Sequence, residues 1–297
     1  MVVTCFGNLK QEFCILRENL KEGQMRYSCH NWIFGKEPVE KSLERIARFG
    51  YDAVDLLGDP ENTDINKVKG LLNRYKLEVA CIGGAFPPER DLANADEQIR
   101  KTGINYAKKC LDIASEVDAR SMVVLPSGVG KSKPTAPYEK EWNLAVDSIK
   151  EIGEYAAEKN VTLVIECLNR YETYLVNKLS QAVDMAKQID LSNVRIMADT
   201  FHMNIEEPVI ANSIREVGDY IKHIHLADSN REAAGRGHID FKSIVQALKN
   251  IGYSGYLSME FLPSSGSPYD AIQGKVDQEL ADQFTRESIE YMKKIWK

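Results

Sequence analysis

From Met25 onward, short apolar runs alternate with longer stretches whose apolar residues recur every three or four positions. A run apolar on both faces reads as a strand of a covered parallel sheet, and the 3.6-residue spacing reads as a helix packed over it. The first strand is predicted at Tyr27 to Cys29, and Val39, Leu43, Ile46 and Ala47 set a helix that Gly50 stops. Further strands fall at Ala53 to Leu56, Glu78 to Ile82, Met122 to Leu125 and Val161 to Ile165. Between them lie helical patterns carried by Ile65, Val68 and Leu71, then Ile104, Ala107 and Leu111, then Leu144, Ile149 and Ile152. Ser180 is the predicted N-cap of a fifth helix and Asp240 that of a seventh. The last three strands close on Asp199, His225 and Glu260, with Ile210, Ile214 and Val217 marking the sixth helix and Leu280 to Trp296 the last.

Eight strand–helix units predict a closed (β/α)8 barrel in a single domain, residues 25–297, because no Pro-, Gly- or Ser-rich linker interrupts them. A doubly wound open sheet is the competing topology. It lacks its phosphate-binding glycine fingerprint after the first strand. The chain of 297 residues exceeds the roughly 250 of a bare barrel, and the surplus goes to two long βα loops, Gly83 to Thr102 and Pro126 to Lys140, which would cover the mouth. Residues 1–24 read as an N-terminal arm or as a product of start-site choice; Lys10, Glu12, Arg17 and Glu18 interrupt what a secretory signal would need to be apolar.

A net charge of −6 argues against a nucleic-acid grip, and no run has the apolar length of a membrane span. The six cysteines are scattered without a C-x-x-C pair, so they read as reduced thiols of a cytoplasmic protein. Small-molecule chemistry is the expectation that remains.

That chemistry is expected where Val161 to Glu172, VTLVIECLNRYE, turns from a buried run into a carboxylate at Glu166. Asp199, His225 and Glu260 repeat the arrangement in the next three units. In a barrel these strand ends share one mouth, where three carboxylates repel unless a cation lies among them. Three oxygen donors and one imidazole suit Mn2+, with Mg2+ or Co2+ as alternatives. The competing reading makes each a polar residue at a solvated strand end.

The segments IECLNRYETYLVN, MADTFHMNIEE, HIHLADSNR, GRGHIDF and SMEF resemble the xylose isomerase-like barrel family, and within it the D-tagatose and D-psicose (allulose) 3-epimerases. The resemblance spans about residues 25–262 and is strongest in the second half. It implies a divalent-metal-dependent epimerase of a keto sugar, with Glu166 and Glu260 as the two catalytic glutamates that remove and return a proton beside the carbonyl through a cis-enediolate. It also implies that Glu172, His202 and Arg231 contact the substrate. Glu172 has Arg170 as an alternative partner, and Arg231 has Asp228. Trp32 and Phe34 are candidate pocket walls after the first strand; Asp55 reads as a pocket carboxylate or a helix neighbour, and His223 as a donor behind His225.

The runner-up is the metal-binding subunit of a lyase that cleaves C-glycosides through 3-keto glycosides, which would need a second subunit. A non-catalytic barrel subunit is a third reading, and it has no use for the glutamate pair. Nuclease relatives need extra histidines after the second and third strands, where this chain has Leu57-Gly58 and Gly83-Gly84. Relatives of this shape are commonly dimers or tetramers.

Overall fold

The computed structural model describes residues 25–262, 271, 274 and 276–297. The predicted arm, residues 1–24, lies outside them. Eight strands close into a parallel barrel in sequential order, β1 Arg26–His30, β2 Ala53–Leu57, β3 Glu78–Gly83, β4 Ser121–Val124, β5 Thr162–Ile165, β6 Val194–Asp199, β7 Ile221–Leu226 and β8 Tyr256–Met259. The long helices between and after them are α1 Val39–Arg48, α2 Ile65–Tyr75, α3 Glu97–Glu116, α4 Tyr138–Glu158, α5 Leu179–Ile189, α7 Ile210–Val217, α8 Phe241–Asn250 and α9 Gln278–Trp296. One helix escaped the periodicity. The seven residues Thr200–Glu206 form α6 directly after β6, with the Asp199 side chain accepting from the Phe201 and His202 amides.

Local chemistry explains the boundaries. Asp64, Asp96, Asp240 and Asp277 cap their helices through side-chain oxygens, which satisfies amide groups the first turn leaves without partners. The cap expected at Ser180 is instead Lys178, where Gln181 Oε1 reaches back to the Asn177 and Lys178 amides. The interior strands are almost wholly buried and bury apolar side chains on both faces, as a parallel sheet sheathed by helices requires.

The two long loops are shorter than expected, residues 84–96 and 125–137, because α3 and α4 each begin earlier. A half-buried lysine ties them together. Lys131 Nζ lies 2.9 Å from Asp91 Oδ2 and 2.8 Å from Glu141 Oε2, joining the β3 loop, the β4 loop and α4. Asp91 Oδ1 also accepts from the Gly128 amide, and the Gly130 amide donates to the Glu172 carbonyl. The loops therefore form a fixed wall beside the barrel mouth. The four described cysteines are buried and unpaired, as expected of thiols.

Candidate active site

Register decides which side chains meet. Asp199 is paired directly with His225, and Glu166 and Glu260 follow immediately after Ile165 and Met259, the last residues of β5 and β8, at the same end of the barrel. One oxygen or nitrogen from each of these four buried residues lies within 4.8 Å of all the others. Bonds of about 2.1 Å to a small divalent ion put opposite ligands about 4.2 Å apart, so the group needs only a slight contraction to share one.

Two atoms test that fit. His225 Nδ1 and Asp199 Oδ2 are buried with no hydrogen-bond partner, although Nδ1 lies 3.3 Å from Glu260 Oε2 and 4.0 Å from Glu166 Oε1. A buried lone donor or acceptor costs roughly 1–3 kcal/mol, and a shared cation removes both costs at once. The residues present fit a divalent ion.

Electrostatics separates the two glutamates. Burial, the dominant cause, pushes the Glu166 carboxyl well above the usual range, and Glu260 and Asp199 push it the same way against the pull of His225. Glu260 is equally buried, but His225 and Arg231 overcome burial and hold its carboxyl well below that range. Arg231 Nη2 lies 3.5 Å from Glu260 Oε2, and the Trp32 indole donates to Glu260 Oε1 at 3.0 Å. Burial, followed by Glu260, lifts Asp199 to about 7. In the metal-free protein Glu166 therefore holds a proton far more tightly than Glu260 does.

The expected substrate contacts adjoin the same pocket, which Trp32, Glu172, His202 and Arg231 line together with Glu166 and Glu260. His202 Nδ1 accepts from the Asn169 amide at 3.2 Å, so the ring proton belongs on Nε2, 3.7 Å from Asp199 Oδ2. Burial and then Arg231 hold this imidazole neutral, well below its ordinary pKa. It can therefore act as a hydrogen-bond donor into the pocket. Arg231 sits at φ 59°, a conformation uncommon for a side chain of its size, and stacks over the Phe201 ring at 4.6 Å. Its Nε is buried without a partner.

Several alternatives fall away. Arg170 pairs with Glu206 at 2.7 Å rather than with Glu172, whose Oε1 takes the Asn169 amide group at 2.9 Å and faces Arg231 at 3.7 Å. Asp228 spends its oxygens on the amides of Ser229, Gly235 and Ile239, leaving Arg231 to the pocket. Phe34 is core, under the Arg45 guanidinium, and does not reach the pocket wall. Asp55 is neither at the mouth nor beside a helix; it is inside the barrel. His30 lines the pocket, and a Cβ on Gly83 would lie 2.3 Å from its Nε2, which is why that position has none. Sequence reasoning missed Asn169, which holds both Glu172 and His202; an Asn four residues past the end of a strand carries no signal of its own.

The sequence profile described as the xylose isomerase-like TIM barrel matches residues 43–295. The chain belongs to this family. Within the xylose isomerase-like barrels it is 30% identical over 270 residues to a D-psicose 3-epimerase of Ruminiclostridium cellulolyticum, covering 85% of this chain and 90% of that one. It is likewise 30% identical to an L-ribulose 3-epimerase of Methylomonas, over 76% of this chain and 79% of the relative. A crystal structure of D-psicose 3-epimerase with D-tagatose from Clostridium cellulolyticum superposes with a TM-score of 0.83 at 27% identity, covering 92% of this chain and all of that one. The fold expected from the hydrophobic pattern and the family expected from the motifs are both borne out.

Proposed function

We propose that the protein is a divalent-metal-dependent ketose 3-epimerase. The observation that carries the reading is the buried Glu166, Asp199, His225 and Glu260 group, with two of its polar atoms lacking partners. The named relatives support the reaction class: both curated ones are 3-epimerases of keto sugars. Glu166, Asp199, His225 and Glu260 would hold Mn2+, or Mg2+ or Co2+, which supplies Lewis-acid stabilisation of the negative charge that develops on the substrate oxygens.

The protein's own residues do the rest. Glu260, held ionised by His225 and Arg231, takes the proton from carbon three as general base. Glu166, on the other side of the planar cis-enediolate, returns a proton to the opposite face, so the configuration inverts. The reverse epimerisation exchanges the two roles. The His202 Nε2–H, the Arg231 guanidinium and the Glu172 carboxylate fix oxygens near the reacting carbon. Trp32 orients Glu260 through its indole and closes the pocket against water.

No observation favours the lyase alternative. A cytoplasmic location and a dimeric or tetrameric assembly complete this reading; no described helix is long and apolar enough to cross a membrane. Incubating the Mn2+-loaded protein with ketohexoses and ketopentoses in deuterated water tests the reaction. Deuterium at carbon three of both epimers is expected. Its absence from every ketose, in protein shown to hold the ion, would defeat the assignment.

A further inference from the structure

Beneath the pocket, the barrel interior holds a further buried carboxylate that the reaction does not touch. A register shift between Val54 and Asp55 places Asp55 opposite Cys81, and its side chain is fully buried. A carboxylate there is costly unless both oxygens are satisfied. They are. Ser28 Oγ donates to Oδ1 at 2.5 Å, and Oδ2 lies 2.6 Å from His223 Nε2 and 3.2 Å from His225 Nε2.

Resting on the metal reading above, we propose that Asp55 is a positioning residue that fixes the His225 ring through Nε2 and thereby aims Nδ1 at the ligand group. An ionised carboxylate only accepts, so the nitrogen facing it must carry the proton. For His225 this settles the tautomer: Nε2–H points down to Asp55, and Nδ1 is the atom left without a hydrogen-bond partner beside Glu166 and Glu260. The ring is also wedged edge-on between His223, with centroids 5.0 Å apart, and His30, at 5.9 Å. Ser28 and His223 hold Asp55 in turn, so a chain of three residues from β1, β2 and β7 supports one ligand. A carboxylate behind a ligating imidazole also makes the ligand nitrogen more basic.

Asp55, Cys81 and His223 offer atoms within 4.8 Å of one another, which is near enough for an ion of their own. The hydrogen bonds already made by both Asp55 oxygens speak for the supporting role, and stoichiometry separates the two readings.

The test is calorimetric titration of the metal-stripped full chain with Mn2+, together with the visible absorption of the Co2+-loaded protein. Wild type is expected to take one ion per chain. Asp55→Asn should weaken Mn2+ roughly ten- to a hundredfold, and Ser28→Ala, which removes one prop of the carboxylate, should weaken it by a smaller factor. Both should alter the Co2+ band, which a lowered melting temperature alone would not do. If Asp55→Asn folds and keeps the wild-type Kd and Co2+ spectrum, the inference is wrong. Should Asp55→Asn not fold, Ser28→Ala decides by the same two readouts. Two ions per chain, one of them lost in Cys81→Ala, would make Asp55 a ligand and overturn its supporting role. Failure of the underlying reading looks different: wild type binds no ion, or Asp199→Asn binds it unchanged.

Discussion

Ion binding to the Glu166 group should be strongly pH-dependent near neutrality, and the structure sets the size of the effect. An ion needs its carboxylates ionised and its imidazole nitrogen bare. In the metal-free protein, burial and Glu260 hold the Asp199 proton up to about 7, burial holds the Glu166 proton well above the usual carboxylate range, and Glu260 and Asp55 keep His225 protonated despite its burial. For Asp199 alone, the competent fraction falls about tenfold between pH 8 and pH 6, or about 1.4 kcal/mol. Glu166 and His225 make the fall steeper. Calorimetric titration with Mn2+ at pH 6, 7 and 8, in pairs of buffers of different ionisation enthalpy, reads both Kd and protons released. More than one proton should leave per ion at pH 6. The sign for stability follows. The folded-state pKa of Asp199 lies above its unfolded value, so its stabilising contribution is complete below about pH 4 and is lost as pH rises through about 7. The metal-free melting temperature should therefore drop from pH 5 to pH 8, while the gain on adding Mn2+ widens. A Kd constant across pH 6–8 with no proton release would refute the reasoning.

Two further outcomes are expected. Glu166→Gln and Glu260→Gln should each fold, since both carboxylates sit at the cavity rather than in the apolar core, and each should lose about 10²–10⁴-fold in kcat; wild-type deuterium incorporation in either variant would end the two-glutamate scheme. Gly83→Ala should force the His30 ring aside, because the new methyl would lie 2.3 Å from Nε2. A destabilisation of about 1–3 kcal/mol in denaturant melts is expected, with a raised KM as the ring moves into the pocket, and an unchanged melt would show that the approach is not tight.

The residues that end strands β5 to β8 were legible because their signal is local. An apolar run four to six residues long stops on a polar side chain, and barrel closure places all such ends at one mouth whatever their separation in sequence. Glu166, Asp199, His225 and Glu260 are therefore brought together by a rule that needs only strand positions and strand order. Helix α6 was not legible, because seven residues following a metal-competent Asp offer too short a span for a helical period. Nor did spacing reveal the partners of Glu172 and Arg231, since Arg170 and Asp228 are near in sequence but turned to Glu206 and to backbone amides in space.

Strand count, the direction of each helix face and the convergence of four donors followed from periodicity, which the chain carries residue by residue. Tertiary structure alone decided which glutamate is the more acidic, because that depends on how closely His225 and Arg231 approach Glu260. It alone decided the place of Asp55, because a one-residue register shift in a single strand pairing is set by the packing of neighbouring strands and leaves no trace in the pattern of apolar positions.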